Sequence, residues 1–170
     1  EWMKTQSVFL AMLKADFLER TRRPGFLVTV CLVIYLGYAV NTGQVLILLG
    51  NYRGIYNSAW VGSLMALVIT FFLGLFGFFL VKDAIQRDEN SGVGQIIAAT
   101  SLNHTQYLLG KWMSNFALLA ALVLILAFAA LLMQCLQSEA AQIDIWALLA
   151  PLLLVALPMM ALVAAFAVFF

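Results

Sequence analysis

Four stretches of this chain run for about the length of a bilayer crossing without one Asp, Glu, Lys, Arg or His: Pro24 to Val40, Ala59 to Val81, Trp112 to Leu136 and Ile145 to Phe170. A helix needs roughly 20 apolar residues to cross the hydrocarbon layer, so each stretch predicts a span. Inside lipid every backbone N–H and C=O must find a partner within the protein, which leaves helices and closed barrels. Barrel strands alternate apolar and polar residues over roughly ten positions, and a run such as FALLAALVLILAFAALLM does not alternate. The expected fold is therefore all-α, a polytopic membrane helical bundle of four transmembrane helices. Composition agrees, with 10% charged residues where soluble domains carry about 25%.

The placement of the cations predicts orientation. Lys4, Lys14, Arg20, Arg22 and Arg23 precede the first span, and Lys82, Arg87 and Lys111 lie between the second and third. Arg53 alone falls on the other side. Basic residues collect on the cytoplasmic face, so the N-terminus and the 82–111 loop are expected there. The chain then divides into residues 1–23 before the membrane and a transmembrane domain over 24–170.

Residues 1–23 read as an amphipathic helix. Trp2, Phe9, Leu13 and Phe17 fall on one face at helical spacing, with Lys4, Ser7 and Lys14 opposite. Beside the cluster Arg20, Arg22, Arg23, this pattern predicts a helix lying in the headgroup plane, anchored to membrane lipid through Trp2, Phe9, Leu13, Phe17, Arg20, Arg22 and Arg23. Packing of the same face on a protein partner is the competing expectation. Pro24 and Gly25 supply the bend into the first span.

Small residues in the second span (Gly62, Gly74, Gly77) and alanines in the third predict close helix packing. Pro151 and Pro158 predict a kink or break in the fourth. Tyr52, Tyr56 and Trp60 are expected to anchor the outer surface. Cys31 and Cys135, both in apolar runs, read as packing or lipid-facing residues.

Several chemistries are not expected. No ionisable residue sits in a span interior, which weighs against ion-coupled transport. His104 has no partner at zinc-ligand spacing. Gly110 and Lys111 do not form a phosphate loop, because Thr105 and Trp112 stand where that motif needs Gly and Ser or Thr. No catalysis, metal site or bound cofactor is expected of this chain, nor a nucleic-acid partner.

The long polar run RDENSGVGQIIAATSLNHTQYLLGKWMSN, residues 87–115, needs its own account. A charged helical extension of the second span breaks at Asn90, Ser91, Gly92 and Gly94. A short apolar patch follows at Val93, Ile96, Ile97, Ala98 and Ala99. Asn103 and Gln106 then have capping-box spacing for a helix leading into the third span. A small apolar face exposed between two spans invites a protein partner.

This run resembles the cytoplasmic loop of permease subunits of ABC transporters, in the type-2 exporter class. The likeness rests on Arg87, Asp88, Glu89, Gly92, Ile96, Ile97, Ala99, Thr100, Ser101, Leu102, Tyr107, Leu109, Gly110 and Lys111. The segment FLERTRRPGF is similar to the connecting helix of that class. The resemblance implies a transmembrane permease subunit of an ATP-driven exporter in the plasma (inner) membrane. A separate cytoplasmic ATP-binding cassette subunit would carry ATP and magnesium, and a second permease subunit, the same or different, would complete the path. It also implies that the 82–111 loop is a coupling helix docking on the ATPase through Glu89, Gly92, Gln95, Ile96, Ala99 and Thr100. The family domain has six spans where this chain has four, so an N-terminal fragment is expected. The alternative is a membrane anchor or assembly subunit that transports nothing and binds a cytoplasmic partner through the same loop.

Overall fold

A computed structural model describes residues 2–45, 57–82, 104–137 and 144–169. Among these residues the chain is 92% helical, with no strand. α1 runs Trp2–Thr21, α2 Pro24–Asn41, α3 Ser58–Val81 and α4 His104–Gln137. The fourth span is one rod of three pieces: α5 at Ile145–Pro151, a π-helical turn at Leu152–Ala156, and α6 at Leu157–Phe169. α2, α3, α4 and the α5–α6 rod are each long and apolar enough to cross a membrane, as the sequence predicts.

Local chemistry sets several ends. Pro24 sits in the first turn of α2, where its missing N–H costs nothing. Asn57 caps α3 by accepting from the Trp60 N–H at 2.9 Å, and Asp144 caps α5 by accepting from Ala147 N–H at 3.0 Å. Trp60, expected at the outer surface, stands in the first turn of α3, half-buried against the core. At the end of α2 the chain turns through Gly43, whose φ of 73° suits a residue without Cβ.

The helices run alternately up and down. Gly25 lies against Leu80 and Gly37 against Leu126, so α2 is antiparallel to α3 and parallel to α4. α2 packs on α3 and α4 from one side, and the fourth span packs on both from the other. The core between them is apolar, centred on Met65, Ile69, Leu118, Leu122, Leu126, Leu152 and Met160.

Lipid tails are as apolar as these side chains, so close packing and buried polar bonds carry the association. Gly62 and Gly77 make that packing possible. A Cβ on Gly62 would overlap the Leu148 carbonyl oxygen and lie 2.9 Å from its Cα, so α3 and α5 touch backbone to backbone. A Cβ on Gly77 would meet Leu119 Cδ2 at 2.7 Å, while Gly74 has nothing within 4 Å. At the same end as the Gly62 crossing, Ser58 Oγ donates to Gln134 Oε1 at 3.0 Å and accepts from Asp144 N–H at 3.1 Å. One serine thereby joins α3, α4 and the start of α5.

The fourth span stays helical through both prolines. The Leu157 N–H reaches back to the Leu152 carbonyl, a five-residue step that widens the turn just before Pro158. A π turn of this kind absorbs one surplus residue while the helix continues.

Candidate functional site

The end of the bundle opposite Ser58 carries a polar junction between α1 and α4. Asp16 and Arg20 are one turn apart on α1, and Lys111 and Asn115 are one turn apart on α4, so each pair lines one helix face. Lys111 Nζ donates to Asp16 Oδ2 at 2.8 Å. Arg20 Nη2 donates to the same oxygen at 3.4 Å, and Arg20 Nη1 bonds Asn115 Oδ1. The order of contacts is the same along both helices, which lays α1 alongside the start of α4.

Burial sets the energetics. Lys111 is 1% exposed, Asn115 0% and Arg20 4%. Two cations share one carboxylate oxygen out of water, an arrangement whose desolvation cost is offset only by good geometry and further hydrogen bonds. Lys111 Nζ also stands 5.8 Å from the centre of the Tyr107 ring, close enough for a cation–π contribution. Ser114 Oγ and Asn115 Nδ2 are buried and have no hydrogen-bond partner among the described residues. A largely buried polar contact stands where the helix before the first span meets the third span.

The same turn of α4 ties this junction to the fourth span. Trp112 Nε1 donates to the Ala161 carbonyl at 3.0 Å, and its ring stacks at 6.1 Å on Phe116. The region Lys111–Phe116 therefore touches α1 on one side and α6 on another.

The anchoring residues named from sequence separate into groups. Arg22 and Arg23 are exposed, with Arg23 paired to Glu19. Arg20 is buried against α4, and Leu13 and Phe17 are half-buried, Phe17 against the core. Trp2 and Phe9 belong to α1, but their side chains lie outside the described residues. The coupling residues Glu89, Gly92, Gln95, Ile96, Ala99 and Thr100 lie outside them too, as do Tyr52, Tyr56 and Asn103.

Sequence reasoning missed Asp16 and Asn115, and it counted Lys111 only among the cytoplasmic cations at the entry to the third span. A signal was present: Asp16 interrupts the apolar stripe between Leu13 and Phe17, four residues before Arg20. An acid–base pair at that spacing inside an apolar face points to a polar partner.

Among the described residues no group of three His, Cys, Asp or Glu side chains is placed to hold a metal ion. The gap between α2, α3 and α4, lined by Leu36, Gly37, Val40, Met65, Val68, Ile69 and Leu126, is too narrow to admit water. Comparison of the chain with protein-family models, with curated proteins and with solved structures finds no match.

Proposed function

We propose that this chain is the membrane-spanning permease subunit of an ATP-driven exporter, with its basic end in the cytoplasm and a separate ATPase docked on the 82–111 loop. The observation that carries the reading is the buried Asp16–Lys111–Arg20–Asn115 junction. A pull on the loop enters the bundle at the N-terminal end of α4. There the junction passes it to α1, and Trp112 passes it to α6 through the Ala161 carbonyl. The likeness of residues 87–111 to type-2 ABC permease loops supplies the partner's chemistry. The permease contributes a mechanical path and the partner hydrolyses nucleotide, with magnesium on its own residues.

Co-purification from native membranes tests the reading. The wild-type chain is expected to bring down a subunit with a phosphate-binding loop, whose ATP turnover changes on association. Gly92→Asp with Ile96→Lys is expected to abolish both effects while the chain remains in the membrane. Retention of the same partner and turnover by that variant would remove the coupling assignment. Capture of a partner without nucleotide-hydrolysing activity would favour an anchor or assembly subunit.

A further inference from the structure

The backbone ladder of the fourth span has a gap at Leu153. In an α-helix the Leu153 carbonyl would accept from the Leu157 N–H, but that group bonds the Leu152 carbonyl instead. In a continuing π turn it would accept from the next residue, Pro158, which has no N–H. Returning the turn to α would give Leu153 its donor and leave Leu154 facing Pro158, so the gap would move by one residue rather than close. Pro151, inside α5, likewise withholds the N–H that the Ala147 carbonyl would use. The span is continuous in shape but short of backbone bonds between its halves.

The two halves rest on different platforms. α5 packs chiefly on α3, held by the backbone crossing of Leu148 on Gly62 and by Ser58 accepting from the Asp144 N–H. α6 packs on α4 as well as α3, and the Trp112 indole holds it at the Ala161 carbonyl. Between them the inner side is filled, with Leu152 and Ala156 at 0% exposure. Leu154 is 68% exposed and Val155 52%, so the outer side is open among the described residues.

We propose that Leu152–Pro158 is a hinge, about which α6 swings with α4 while α5 stays seated on α3. A hinge needs a few residues that take up the angular change between two rigid bodies. Prolines and π turns are among the few places where a helix bends sharply, and this segment holds both. Bending at Leu153 costs no backbone bond, since none is made there. The α-helical stretches on either side would each have to give up bonds that lipid cannot replace. The hinge concerns the span alone and stands whether or not an ATPase docks on the 82–111 loop.

Pulsed spin-label distance measurement on the whole chain in lipid nanodiscs tests it. With Cys31→Ala and Cys135→Ala removing the native thiols, Phe79→Cys with Trp146→Cys joins α3 to α5, and Ala59→Cys with Leu162→Cys joins α3 to α6; all four sites are exposed. The α5 pair is expected to give one narrow distance and the α6 pair a broader distribution. Pro158→Ala supplies an N–H to the Leu153 carbonyl and is expected to narrow the α6 pair toward the width of the α5 pair, which stays unchanged. Deleting Leu154 in the same variant brings both bonds to α-helical spacing and should narrow it further. Trp112→Phe frees α6 from α4 and should shift or widen the α6 pair alone. A wild-type α6 pair as narrow as the α5 pair, or both pairs equally broad, would overturn the hinge, and this comparison decides the matter even where a variant does not fold. An α6 width untouched by Pro158→Ala in the folded chain would overturn it too.

Discussion

Lys111 Nζ and Asp16 Oδ2 lie 2.8 Å apart, although the two residues are separated by 95 positions in the chain. Their bond fastens the helix that precedes the first span to the third span. It does so where burial makes the loss of either partner expensive.

Asp16→Asn removes the carboxylate that Lys111 and Arg20 share. The expected loss is about 3 kcal/mol of stability, the cost typical of breaking a buried ion pair from one side. Asp16→Leu with Lys111→Met removes both charges and is expected to lose less than the sum of the single changes. Unfolding in detergent across the four-member cycle measures this; strict additivity would mean that the two side chains do not interact.

The three glycines of α3 are expected to respond differently to the same methyl group. Gly62→Ala drives a Cβ into the Leu148 backbone, which has no rotamer to retreat into, and should destabilise by about 1–3 kcal/mol. Gly77→Ala meets the flexible end of Leu119 and should cost less. Gly74→Ala meets nothing and should be neutral or stabilising by up to about 1 kcal/mol, the helix-propensity gain. Thermal stability of the three variants in one detergent gives the ranking.

Ser58→Ala withdraws the hydroxyl that bonds Gln134 and the Asp144 N–H. Hydrogen bonds between membrane helices average about 0.6 kcal/mol, with a maximum near 1.7. Because this hydroxyl serves two partners and Gln134 is 1% exposed, the expected loss lies toward the upper figure. Adding Gln134→Leu should restore part of it, since the buried amide then no longer lacks its partner.

Orientation is tested with a cysteine at Ser91 in a chain lacking Cys31 and Cys135. A membrane-impermeant thiol reagent is expected to leave it unlabelled in intact cells and to label it after permeabilisation. Labelling from outside intact cells would invert the topology and detach the proposed ATPase.

Deleting Leu154, which faces outward from the π turn, should convert that turn to α-helix. The Gly62–Leu148 crossing and the Trp112–Ala161 bond should then keep their register, because a π turn is one residue added to an α-helix. Deleting Leu162 instead rotates everything after it by about 100° and should cost far more stability.

The span boundaries were legible in the sequence because each is set locally. Apolar runs ending at charged, Gly-rich or capping residues gave α2 and α3 to within a residue. The fourth span was legible as an apolar helix carrying two prolines, though not the π turn through which it continues. The resemblance-based coupling residues lie outside the described structure, so the loop contributes its pattern alone.

What the sequence by itself determined is the number of spans, their order and the alternation of their directions, since lipid demands long apolar helices whose backbone bonds close within the segment. Tertiary structure alone decided which face of α1 turns inward and that Lys111, Arg20 and Asp16 meet. Apolar and polar side chains on a short helix have several ways to be satisfied, by lipid, water or another helix. Contacts 95 residues apart leave no local trace of which one prevails.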